Sequence, residues 1–128
     1  MSAGTVSPPP PLILVVDDEA MLRFLAADTL EESGFRVVEA ENAKEALKVL
    51  AEQSDVRVLF TDINMPGALD GLDLAREVHA RWPTIKLIVT SGRLRLSDGE
   101  IPDSGRFVAK PYSPDTLVEE IRQATGET

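Results

Sequence analysis

The chain has 128 residues, no cysteine, and 22 acidic against 13 basic side chains, a formal net charge of −9 at pH 7. That length fits one domain around a single core, the lack of cysteine removes disulfide staples and thiolate metal sites, and the negative charge opposes nucleic acid, whose affinity rests on neutralised phosphates. No apolar run reaches the length of a membrane span and the N-terminus lacks the basic-then-apolar pattern of a signal peptide, so the expectation is a cytoplasmic protein without membrane insertion.

Residues 1–11 (MSAGTVSPPPP) show no periodicity and end in four prolines, so a disordered leader is expected there. Leu12 to Val16 is an unbroken apolar run rich in β-branched residues, followed at once by Asp17, Asp18 and Glu19. It predicts a buried strand, then a helix carrying Leu22, Leu25, Thr29 and Leu30 at helical spacing and stopping at Ser33-Gly34. Phe35 to Ala40 predicts a second strand, with Asn42 as N-cap of a helix whose apolar face is Ala43, Ala46, Leu47 and Leu50.

Val56 to Thr61 predicts the third strand, with Asp62 where it gives out before the Pro66-Gly67 turn. A helix from about Leu69 to Trp82 follows, closed by Pro83. Lys86 to Thr90 predicts a fourth strand ending in Ser91-Gly92. Gly99, Pro102 and Gly105 break any long helix in the next stretch, leaving a short or irregular fourth helix. Arg106 to Ala109 predicts a fifth short strand before Lys110-Pro111. Ser113 then caps a last helix with Pro114 at its first position and Leu117 and Ile121 facing inward. Residues 12–125 form one domain, and 126–128 are a tail. Alternating strands and helices imply a doubly wound α/β fold of five parallel strands, flavodoxin-like, in the order 2-1-3-4-5.

In such sheets ligands sit at the carboxyl ends of the strands. The residues found there are Asp17 and Asp18, Asp62, Ser91 and Lys110. The first and third strands are neighbours in this order, so three carboxylates crowd one crevice and would raise one another's pKa unless a hard, oxygen-seeking cation such as Mg²⁺ joins them. With one histidine and no cysteine, zinc or copper has little support. Lys110 supplies a point charge and Ser91 a hydroxyl, both suited to a phosphoryl group on a carboxylate nucleophile. Each residue also has a plain explanation, as a cap, a turn or a solvated charge. All five falling by accident at consecutive strand ends is improbable.

Val-Val-Asp-Asp-Glu (15–19), Thr-Asp-Ile-Asn-Met-Pro-Gly (61–67), Asp-Gly-Leu (70–72), Val-Thr-Ser-Gly (89–92) and Lys-Pro-Tyr (110–112) together resemble the receiver domain of bacterial two-component response regulators, of the CheY-like kind, over about Leu12 to Ala124. The resemblance implies Asp62 as phosphoacceptor. It implies Mg²⁺, with Mn²⁺ able to replace it, held by Asp17, Asp18, Asp62 and the backbone carbonyl of Asn64. Ser91 would be the switch hydroxyl, Lys110 the phosphate-binding lysine and Phe107 the aromatic switch. Asn64 and Arg93 would tune phosphoryl lifetime, and Lys110-Pro111 would be cis. The implied partners are a histidine kinase or a histidine phosphotransfer protein, and a downstream protein target that the residues do not identify.

Two departures stand out: the broken stretch between Ser91 and Phe107, taken here as the switching segment, and a loop from Pro66 to Asp70 one residue longer than in many relatives. Nothing after residue 128 supplies an output domain, so a stand-alone receiver is expected. The competing reading is a Mg²⁺-dependent aspartyl-phosphate hydrolase, which needs a general acid two residues after the nucleophile, where this chain has Asn64. A nucleotide-binding flavodoxin-like carrier is discarded, because Asp17-Asp18-Glu19 would repel a phosphate.

Overall fold

The computed structural model describes residues 9–92, 101–102 and 105–126. Its elements in chain order are β1 (Leu12–Val16), α1 (Ala20–Glu32), β2 (Arg36–Ala40), α2 (Ala43–Glu52), β3 (Val56–Asp62), α3 (Gly71–Arg81), β4 (Lys86–Ser91), β5 (Arg106–Ala109) and α4 (Pro114–Thr125). The strands form one parallel sheet in the order β2-β1-β3-β4-β5, as the sequence predicts. The expected short fourth helix falls almost wholly on residues 93–100 and 103–104, outside the described residues.

Period-2 alternation divides each central strand between two cores. Leu12, Leu14 and Val16 point with Leu59, Leu87 and Val89 toward α2 and α3. Ile13 and Val15 point with Val58, Phe60 and Ile88 toward α1 and α4. Both faces are covered, so every residue of β1 is buried and the strand reads as a continuous apolar run. Burying a side chain such as Ile13 or Leu14 contributes about 1.5–3 kcal/mol, enough to hold the β1–β3 pair that carries the carboxylates.

The caps follow the sequence. Asn42 accepts from the Glu45 N–H at 2.8 Å, and Ser113 accepts from the Thr116 N–H at 3.1 Å. Gly34 ends α1 with φ of +96°, a conformation that favours glycine. The inward face of α1 differs from the expectation. Ala26, Ala27 and Leu30 are buried, whereas Leu25 is 57% exposed and Leu22 only half-buried. Small alanines let the helix backbone approach the sheet, which rotates the larger leucines outward.

Within the Pro-rich leader, residues 9–11 run directly into β1. The Pro11 carbonyl accepts from the Arg36 N–H at 3.1 Å, and the Pro10 carbonyl accepts from Arg36 Nε at 2.8 Å. A proline donates nothing to a ladder but still accepts. In the stretch taken as the switching segment, Ile101 is 3% exposed and belongs to the α2/α3 core, and Gly105 packs against it so closely that a Cβ would lie 2.3 Å from Ile101 Cγ2. This end of the segment is anchored rather than loosely held.

Candidate functional site

Four strand ends converge on one crevice. Asp17 follows β1 directly, its N–H donating to the Ala40 carbonyl at 3.2 Å. Asp62 is the last residue of β3, in register with Thr90 of β4. Ser91 ends β4, and its carbonyl accepts from the Lys110 N–H at 3.1 Å. Asp17 and Asp62 are buried at 6% and 5% exposure and Ser91 at 0%, while Asp18 is exposed. Asp17, Asp18 and Asp62 each offer a carboxylate oxygen within 4.8 Å of the others. These donors are all hard oxygens, which suits Mg²⁺ or Mn²⁺.

Lys110 reaches in from beyond β5. Its Nζ donates to Asp62 Oδ2 at 3.1 Å and to Asp17 Oδ2 at 3.4 Å. Burial alone would lower the lysine's pKa, but the hydrogen bond to Asp62 and the charges of both aspartates outweigh it and hold the ammonium above its ordinary value. Burial raises the Asp17 carboxyl, and the Asp62 charge adds to this. The Glu19 N–H, which donates to Asp17 Oδ1 at 2.9 Å, and the Lys110 ammonium oppose the rise without cancelling it. A buried carboxylate that remains costly despite two partners is a natural site for a cation.

Asn64 links Asp62 to the Ser91 hydroxyl. Its N–H donates to Asp62 Oδ1 at 3.1 Å, and its side-chain Oδ1 accepts from Ser91 Oγ at 2.7 Å. A cavity of about 540 Å³ opens over this cluster, lined by Asp18, Glu19, Leu22, Asp62, Asn64, Met65, Gly92 and Lys110. The loop after β3 bounds a neighbouring cavity of about 800 Å³, where Pro66, Gly67, Ala68 and Leu69 face Asp18 and the start of α2.

The Lys110-Pro111 peptide is cis, as the resemblance implied. The structure thus brings together Asp17, Asp18, Asp62, Asn64, Ser91 and Lys110. Phe107 stands apart from them, paired with Val89 and half-buried against the α2/α3 core. Arg93 and most of residues 92–105 lie outside the described residues.

Two features escaped sequence reasoning. Arg23 and Glu39 meet beside the acidic loop, Nε to Oε1 at 3.0 Å. The readable signal was an arginine one turn into the helix after Asp17-Asp18, with an acid near the end of the second strand. The second feature is an apolar surface. Among the described residues, the exposed large hydrophobic side chains are Met21, Phe24 and Leu25, all on the first half of α1. Of the three, Leu25 lines a groove of about 620 Å³ between α1 and the start of α4, which includes Leu22, Tyr112 and Leu117 and reaches Lys110. Burial raises the pKa of the Tyr112 hydroxyl there, and its ring meets Phe60 edge-on at 5.7 Å.

Residues 13–122 match the family described as the response regulator receiver domain. Chemotaxis protein CheY1 of Helicobacter pylori is 32% identical over 120 residues, covering 89% of this chain and 96% of that protein. The hydrogenase transcriptional regulatory protein HoxA of Cupriavidus necator is 39% identical over 116 residues, which span 88% of this chain but 23% of HoxA. The chain therefore corresponds to about a quarter of that regulator's length. The crystal structure of the receiver domain of NtrX from Brucella abortus superposes with a TM-score of 0.81 at 31% identity, covering 91% of this chain and 99% of that one. No helix among the described residues is long and apolar enough to cross a membrane.

Proposed function

This chain belongs to the response regulator receiver domain family, phosphoacceptor signalling modules of two-component systems, and on that premise we propose that Asp62 accepts the phosphoryl group, with Lys110 and Ser91 engaging it and Asp17 and Asp18 completing a Mg²⁺ site. The observation that carries this reading is the 3.1 Å contact between Lys110 Nζ and Asp62 Oδ2 inside a ring of three carboxylates. An oxygen of Asp62 attacks phosphorus, the donor's P–N or acyl P–O bond breaks, and the leaving group departs with the bonding electron pair. When bound, Mg²⁺ would offset the charge of the carboxylates and of the incoming phosphoryl oxygens. Asp17, Asp18 and Asp62 would hold it, with the Asn64 backbone carbonyl as a further ligand.

Lys110 holds the phosphoryl oxygens by charge once they arrive. Ser91 releases Asn64 and donates to the phosphoryl group, and that exchange biases a two-state element including Phe107. Water attack on phosphorus later returns Asp62 and inorganic phosphate, with Asn64 and Arg93 setting the rate. A dedicated hydrolase is the weaker reading, because the amide of Asn64 has no proton to give as a general acid and is engaged by Ser91.

The phosphodonor is a histidine kinase or a histidine phosphotransfer protein. The exposed Met21, Phe24 and Leu25, the last of which lines a groove that runs to Lys110, support α1 as its docking face. Intact mass after treatment with acetyl phosphate and Mg²⁺ tests the acceptor. Wild type gains one phosphoryl group and Asp62→Asn gains none; an adduct retained by Asp62→Asn overturns the assignment.

A further inference from the structure

The Arg23 side chain is 13% exposed, and its guanidinium makes two polar contacts at once. Nε donates to Glu39 Oε1 at 3.0 Å, and Nη1 donates to the backbone carbonyl of Asp17 at 2.8 Å. Resting on the Mg²⁺ site just proposed, we infer that Arg23 is a positioning residue for that site, acting through the peptide that joins Asp17 to Asp18.

That peptide is planar, so its carbonyl oxygen and the α-carbons of Asp17 and Asp18 move as one unit. Fixing the oxygen fixes the origin of both carboxylate side chains. The N–H side of Asp17 is already fixed, since it donates to the Ala40 carbonyl. Arg23 supplies the missing restraint on the other side. The fork is braced in turn by Glu39, whose strand places it opposite Val15, two residues before Asp17. Three elements are thereby tied at one point: the end of β1, the first turn of α1 and the edge strand β2. Glu39 also balances the guanidinium charge, so Arg23 orients the acidic loop without becoming a second counter-ion that competes with the cation, as Lys110 does.

The assignment requires a planar fork, because a lysine ammonium cannot serve the Asp17 carbonyl and Glu39 with the same two-pronged geometry. Arg23→Lys keeps the charge and removes the fork. Partners that orient metal ligands from behind commonly matter about tenfold or more in metal affinity. Calorimetric titration of Mg²⁺ into the full chain is therefore expected to give a Kd about tenfold weaker for Arg23→Lys and weaker still for Arg23→Met. The rate of labelling by acetyl phosphate should recover toward the wild-type plateau as Mg²⁺ is raised, so the defect lies in half-saturation.

A purely structural arginine predicts a different outcome: lower thermal stability with unchanged Mg²⁺ affinity. Val78→Ala, a core truncation on α3 away from the pocket, controls for general loosening. Wild-type Mg²⁺ affinity in Arg23→Lys overturns the inference, as does an equal loss of affinity in Val78→Ala. If Arg23→Met fails to fold, Arg23→Lys still decides the matter. Asp18→Ala separates this inference from the one beneath it: if that variant binds Mg²⁺ like wild type, the site itself is wrong and both fall.

Discussion

Two strand-to-helix junctions flank the acidic pocket, and they are built in opposite ways. At the β3–α3 junction, Asp70 accepts from the N–H groups of Leu72 and Asp73 at 2.9 and 2.8 Å, and Asp73 reaches back to the Asp70 N–H at 3.2 Å. Gly71 packs so tightly that a Cβ would lie 1.9 Å from the Asp62 carbonyl oxygen. At the β1–α1 junction, Glu19 occupies the N-cap with no side-chain cap bond, and the first turn carries no acid to complement the helix dipole. The acids sit one step earlier, at Asp17 and Asp18, where they serve the pocket. One junction spends its polar groups on holding the helix. The other gathers them into the carboxylate cluster and leaves apolar side chains facing solvent.

The contrast is sharpest at Gly71. Gly71→Ala must displace the backbone of Asp62 or of α3, so a loss of about 3 kcal/mol in urea unfolding is expected, together with slower labelling of Asp62. A loss below about 1 kcal/mol would mean that α3 shifts freely and that the junction is not rigid. Asp70→Ala removes the capping box and should cost about 1–2 kcal/mol, leaving Mg²⁺ affinity within twofold or so. Equal effects on stability and Mg²⁺ binding would erase the distinction between the two junctions.

At the other junction the sign reverses. The Asp17 pKa is raised in the folded state, chiefly by burial. Its contribution to stability is full below the unfolded carboxylate pKa and is lost as pH rises through the folded value, so ionised Asp17 is a net cost at neutral pH. Asp17→Asn should therefore melt higher than wild type by about 3 °C at pH 7 in EDTA, and its advantage should shrink as the pH falls toward the carboxylate range. Added Mg²⁺ is expected to raise the melting temperature of wild type but not of Asp17→Asn. A variant that melts lower in EDTA would show that Asp17 holds the loop together instead.

The smallest effect on stability belongs to the exposed face of α1. Met21→Ser and Leu25→Ser should each change stability by no more than about 0.5 kcal/mol. Both should slow phosphoryl transfer from a phosphorylated protein donor while leaving acetyl phosphate labelling unchanged. Slowing with both donors would place the defect in the pocket rather than on a docking face.

Much of this was legible in the sequence. The buried runs at Leu12–Val16 and Lys86–Thr90 are long, apolar and closed by turn residues, so strand ends, and with them Asp17, Asp62 and Ser91, could be placed without coordinates. Caps at Asn42 and Ser113 were equally direct, because a cap is a local bond. The inward face of α1 was not, since hydrophobicity ranks Leu22 and Leu25 above Ala26 and Ala27, while the sheet selects the side chains that let the helix come close. The Arg23 clamp was hidden for another reason. It depends on Glu39 lying opposite Val15, a register between strands that no local pattern reports.

Arg36, at the start of β2, holds both the Pro10 carbonyl and the Asp55 carboxylate, while Arg57 donates to the carbonyl of Thr125 at the end of α4. Both described ends of the chain thus leave from the floor of the sheet, opposite the carboxylates. A fluorescent reporter entering beside Pro10, or a surface tether leaving after Gly126, hangs on the far side of the molecule from Asp62. The protein can be immobilised by either end with its pocket and the exposed face of α1 open to bulk solution, an orientation suited to surface-based kinetics with large protein donors.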